Sequence, residues 1–162
     1  MTNYTGSSAV SPSTQLAGFI AKFDPKMAKH IRACRAAMRK LLPTAIEMVY
    51  DNYNFFVIGY GPNERASEAV LSIAANSSGA GISFIHGATL PDPKKFLLGS
   101  GKQNRFIRLP TVALLKSPDV LNLIKAAVAQ SKTPFPPKGS GGYLVIKSVS
   151  AKQRPRRKSK TQ

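Results

Sequence analysis

Residues 45 to 58 read AIEMVYDNYNFFVI, and the period of this stretch decides the fold. Ile46, Met48 and Tyr50 alternate with Glu47, Val49 and Asp51, so side chains two apart share a face, as in a β-strand. Phe55, Phe56, Val57 and Ile58 follow as a short apolar run of β-rich composition. Upstream the period is helical. Leu16, Phe19, Ile20 and Phe23 recur at i, i+3, i+4 and i+7. Asp24-Pro25 then supplies a cap residue and a first-turn proline, and the next helix runs to about Leu42, where Pro43 stops it. Met27, Ile31, Cys34, Met38 and Leu41 form a stripe expected to be buried. Lys26, Lys29, Arg32, Arg35, Arg39 and Lys40 spread over the other side, toward water.

Downstream of Ile58 the strand signals continue. Gly59 to Arg65 reads as a turn. Ala69 to Ala75 and Ile82 to Ile85 read as strands, split by Asn76-Ser77-Ser78-Gly79. Pro91 to Leu98 reads as one or two helical turns, and Arg105 to Leu109 as a fifth strand. Ser117-Pro118-Asp119 repeats the cap-plus-proline signal before a helix that buries Val120, Leu121, Ile124 and Val128. The expected fold class is α+β: an antiparallel sheet of about five strands with N- and C-terminal helices on one face. The expected domain spans residues 13 to 132. It is preceded by a disordered segment, 1 to 12. It is followed by a Pro/Gly linker and extended arm, 133 to 150, in which Tyr143 to Ile146 adds a strand or packs as an arm, and by a basic tail, 151 to 162.

The chain carries 24 basic and 7 acidic residues, a formal net charge of +17. That imbalance favours polyanion partners, nucleic acid above all. The tail Lys152-Gln153-Arg154-Pro155-Arg156-Arg157-Lys158 concentrates it, and the rest of the chain is basic too. Lys26, Lys29, Arg32, Arg35 and Arg39 on the helix, Lys102 and Arg105, and Arg154, Arg156, Arg157 and Lys158 of the tail form the expected polyanion surface. The single cysteine, Cys34, permits no intrachain disulfide, which fits a reducing compartment. No secretory signal or membrane-length apolar run is evident, so the expected location is cytoplasmic.

The segment GSGKQNRFIR, residues 99 to 108, has the look of a phosphate loop. It fails the Walker pattern. Setting Gly101-Lys102 on its Gly-Lys requires glycine where Phe96 stands and Ser or Thr where Gln103 stands, and a strand follows in place of a helix. Two readings remain: a backbone nest in which Lys102 and Arg105 hold an anion, and a glycine turn into an edge strand. Only His30 and His86 offer imidazoles, with no recognisable nucleophile beside either, and no metal-ligand spacing occurs. No cofactor or metal is expected.

Ile20 to Phe23, the Pro25 helix, Glu47-Met48-Val49-Tyr50, Gly81-Ile82-Ser83-Phe84-Ile85-His86-Gly87, Gly101-Lys102 with Arg105 to Leu109, and the closing helix occur in an order that resembles a known family. It is the YdhG-like domain-of-unknown-function family of the frataxin-like (CyaY-like) superfamily, over residues 14 to 131. The YLVIKSVSAKQRPRR ending is similar to that of one subgroup. The resemblance implies a frataxin-like architecture and little about activity. Some relatives are linked to iron handling, which relies on an acidic helix, because hard cations prefer carboxylate oxygens. Here that helix is basic, so iron binding is not expected. The leading expectation is therefore a small non-enzymatic protein that contacts nucleic acid or another polyanion. The alternative is a site for a small anionic ligand or metal on the sheet face near Tyr50, Tyr53, Phe84, His86 and Arg108.

Overall fold

The computed structural model describes residues 10 to 159; expectations for residues 1 to 9 and 160 to 162 lie outside the described residues. Helix α1 (Pro12–Ala21) starts at Ser11, whose hydroxyl accepts the Thr14 N–H at 3.2 Å. Helix α2 (Pro25–Leu41) starts at Asp24 with Pro25 in its first turn, but Asp24 makes no side-chain cap bond. Its carboxylate accepts instead from the Lys158 N–H, at 3.4 Å. Ala28, Ile31, Cys34 and Met38 are buried on α2 and Met27 is half-buried. Leu41, expected in the buried stripe, is exposed at the last residue of α2.

The strands are β1 (Ile46–Asp51), β2 (Phe56–Gly61), β3 (Leu71–Asn76), β4 (Gly79–Phe84), β5 (Arg105–Arg108) and β6 (Leu144–Val149), and helix α3 (Pro118–Ala129) lies between the last two. They form one sheet in the order β5-β4-β3-β2-β1-β6. β1 to β5 pair antiparallel in sequence order; β6 lies parallel to β1, with a register shift at Val49/Tyr50. The sheet is therefore mixed and six-stranded, where five antiparallel strands were expected. β6 covers the edge of β1, whose free backbone groups would otherwise face water or another chain. Leu144 and Ile146 pack against the core as it does so.

Pro91 to Leu98 is not helical. The Asp92 carboxylate takes the N–H groups of Phe96 and Leu97, both at 2.9 Å, which a helix would have given to the backbone. Lys95 sits at φ 55°, outside helical geometry.

Residues paired across strands share a face. Val49, Ile58, Ile73 and Ile82 are in register with one another, as are Tyr60, Leu71 and Phe84. All are buried in one cluster with the apolar residues of α1, α2 and α3. Glu47 and Asp51 share the face of Val49 and Tyr60 and are buried, although the sequence alternation gives them no obvious reason to be inside. On the other face of β3 and β4 lie Ser72, Ala74, Gly81 and Ser83, partly open to solvent except for buried Ser72.

Candidate polyanion interface

Two buried carboxylates organise the basic residues. Glu47 receives Arg35 in a bidentate contact, Nε at 2.9 Å and Nη2 at 2.8 Å, and the Tyr60 hydroxyl at 2.8 Å. Arg39 Nε stands 3.8 Å away. Burial first, and the Glu47 charge second, push the Tyr60 phenol well above its ordinary value. Burial opposes the Arg35 charge, but the Glu47 bonds and charge outweigh it and raise its pKa. Arg35, expected to contact a polyanion, is paired with the buried Glu47 carboxylate and keeps 23% of its side chain exposed.

Asp51 is fully buried and takes Arg156 Nη2 at 2.7 Å and Lys22 Nζ at 2.7 Å. Burial by itself would raise the Asp51 carboxyl. The bonds from Lys22 and Arg156 outweigh it and hold the pKa below 3.8. Arg156 is 4% exposed, its guanidinium carbon 5.9 Å from the Phe23 ring centroid, and it also donates to Asn52 O at 2.6 Å. Assigned from sequence to polyanion contact, Arg156 is a buried clamp.

The rest of the C-terminal segment is docked as well. Arg154 donates through Nε to Asn54 Oδ1 at 2.9 Å and lies over the Tyr53 ring at 5.6 Å. Arg157 Nε donates to Lys22 O at 3.2 Å. The segment therefore runs from the β1–β2 turn around the end of the sheet to the α1–α2 corner. It leaves Arg157 and Lys158 exposed beside the start of α2. Lys26, Lys29, Arg32 and Lys40 continue that surface. All four are exposed, and none has a carboxylate within ion-pair distance among the described residues.

Residues 99 to 105 form the loop of a hairpin closed by the Leu98–Phe106 bridge, and Gly99 takes the left-handed φ of 105°. Arg105 Nη1 donates to the carbonyls of Gly101 and Asn104, so the loop offers oxygens to its own arginine, the opposite of an anion nest. Lys102 is exposed and lines a cleft of about 650 Å³ with His86, Gln130 and Lys132.

The five residues expected to share one ligand site are separated. Phe84 is buried in the core. Tyr50 is half-buried opposite Val57. Tyr53 lies in the β1–β2 turn under Arg154. His86 lines the cleft with Lys102, and Arg108 lines a groove on the open sheet face. One alternation explains the split: Phe84 and Arg108 point to opposite faces of adjacent strands. The sequence reading missed Phe55 and Phe106. Phe55 had a signal, because of two adjacent phenylalanines in a strand one must point away from the core.

His30 Nε2 lies 2.7 Å from Leu109 O, and the Cys34 sulfur is 3.7 Å from the same nitrogen. Burial pushes the Cys34 thiol up to about 11, which favours the neutral thiol over the nucleophilic thiolate. Among the described residues, no three His, Cys, Asp or Glu side chains come together as metal ligands, and no helix is long and apolar enough to cross a membrane. Comparison with protein-family models, with curated proteins and with solved structures finds no match to this chain.

Proposed function

We propose that this chain is a non-enzymatic polyanion-binding protein whose natural partner is nucleic acid. It contacts phosphates through the exposed cations of α2 and the docked C-terminal segment. One observation carries the reading. All seven carboxylates accept bonds within the fold, while Lys26, Lys29, Arg32 and Lys40 face water unpaired among the described residues. The surplus of positive charge is therefore outward and uncompensated. The helix rises about 1.5 Å per residue, so Lys26 to Lys40 extends over about 21 Å, several phosphates of a backbone.

The test is binding of labelled duplex and single-stranded oligonucleotides across a salt series. The triple variant Lys26→Gln, Lys29→Gln, Arg32→Gln removes three exposed cations and touches no buried group. It should weaken binding and flatten the slope of log K against log salt by about 2 for single strands. Full-length protein that binds neither form at low salt would end this reading.

A second reading rests on the cleft lined by His86, Lys102, Gln130 and Lys132, with Glu68 as its one carboxylate among the described residues. Two lysines beside an imidazole suit a small anion, and the frataxin-like resemblance leaves room for a small ligand. Thermal-shift screening with small phosphates and carboxylates decides it: stabilisation lost on Lys102→Ala supports the cleft, and no shift from any anion excludes it.

A further inference from the structure

A groove of about 830 Å³ runs over the sheet face that carries Ser72, Ala74, Gly81 and Ser83 and reaches Met27 and His30 of α2. Its floor is low because the residues there are small. Ala74 and Ser72 on β3 lie beside Gly81 and Ser83 on β4. Gly81 cannot be otherwise, since a Cβ there would lie 2.6 Å from Ile107 O. Aromatic rings flank this floor. Phe55, 44% exposed, points outward while Phe56 enters the core, and Phe106 lies on β5. Strands repeat every ~4.8 Å, so β2 to β5 covers about 14 Å, room for two or three flat rings side by side.

Two aromatic rings carry an arginine each: Phe106 in the groove, and Tyr53, which lines a neighbouring depression with Phe55 and Val57. The Arg108 guanidinium lies 6.0 Å from the Phe106 ring centre, and the Arg154 guanidinium 5.6 Å from that of Tyr53, which is 48% exposed. Among the described residues, no carboxylate lines the groove. Arg154 also begins the docked segment that leads to Arg157, Lys158 and the basic side of α2, so the open face and the helix surface are joined by one run of cations.

These features select among occupants. A partner helix would be met by a row of branched apolar side chains, and here the strand residues facing the groove are mainly glycine, serine and alanine, with Val57 and Asn76 beside them. A duplex keeps its bases inside and cannot use the rings. A single strand presents flat bases and phosphates together, which matches rings beside arginines in a chain of net charge +17. We propose that the open sheet face is a stacking platform for a short single-stranded nucleic acid. Bases lie on Phe55 and Phe106, and phosphates meet Arg108 and Arg154. The proposal rests on the polyanion reading above and narrows it to single strands.

The experiment uses the full chain and three labelled probes: an oligothymidine, an abasic oligomer of the same length, and a duplex. Oligothymidine should bind about tenfold or more tighter than the abasic oligomer. Phe55→Ala, at an exposed position, should weaken oligothymidine by about tenfold, with the salt slope and duplex binding unchanged. The chain has no tryptophan, so Phe55→Trp creates a single reporter. Its fluorescence should be quenched by oligothymidine and not by the abasic oligomer. Equal, salt-dependent binding of thymidine and abasic probes, indifferent to Phe55→Ala, overturns the platform and leaves the polyanion reading standing. Absence of binding to all three probes at low salt overturns both. Concentration-dependent dimerisation abolished by Phe55→Ala would assign the face to a second copy of the chain and overturn the platform.

Discussion

Arg156 and Asp51 are joined across 105 positions of sequence, and the pair is almost completely removed from water. Breaking such a pair leaves a buried charge, at a cost of about 3–5 kcal/mol. Lys22 stays within reach of Asp51, so Arg156→Ala should fall at the lower end, about 3 kcal/mol, as read by urea unfolding at neutral pH. The pH dependence has a definite sign. The Asp51 pKa is depressed in the folded state, so its contribution is present above the unfolded value of 3.8 and is lost as pH falls through the lower folded value. The stability gap between native protein and Arg156→Ala should close in that acid window; a gap constant down to the lowest pH would count against the clamp. Cys34 gives a second check. Fully buried and with its thiol raised to about 11, it should resist a thiol reagent in the folded protein and react on unfolding.

The C-terminal element is held by a narrow entry. Gly142 leads into β6 where the chain passes the end of α2, and a Cβ at Gly142 would stand 2.4 Å from Ala45 O. Backbone cannot swing aside as a side-chain tip can. Gly142→Ala should therefore shift β6 and weaken the bond from Glu47 N–H to Tyr143 O, now 2.8 Å, at a cost of about 1–3 kcal/mol. Truncation before Tyr143 should do more. It uncovers the edge of β1 and removes Arg156 from Asp51, so the product should self-associate in size-exclusion chromatography at concentrations where the full chain does not. A truncated chain that stays monomeric and equally stable would show that β6 adds nothing to the sheet.

Across the whole molecule, net charge acts in two opposed ways. A charge of +17 repels itself, and salt screens that repulsion. The free protein should melt at higher temperature as salt is raised from low to near-physiological concentration, while its affinity for nucleic acid falls over the same range. The opposite signs separate the two effects in one buffer series. A melting temperature insensitive to salt would mean that the cations are too dispersed to act together, and the basic surface of α2 would lose its significance.

The sequence determined what is encoded within a few neighbouring residues. The helical period of Leu16 to Leu41, the alternation from Ile46, the two cap-plus-proline starts and the failed Walker pattern at Gly101-Lys102 are all local. The α+β class follows from them, because each depends on spacings within one turn or one strand. What the tertiary structure decided depends on partners distant in sequence. Glu47 and Asp51 look like solvent-facing acids until Arg35, Lys22 and Arg156 arrive to neutralise them inside the fold. The ending KQRPRRK reads as a free basic tail until Asp51, Asn54 and Asp24 hold it down. Phe55 and Phe106 become neighbours of one groove only when β2 and β5 enter the same sheet. Burying a charge is unfavourable unless a partner comes with it, and no local pattern records whether that partner lies 12 or 105 residues away.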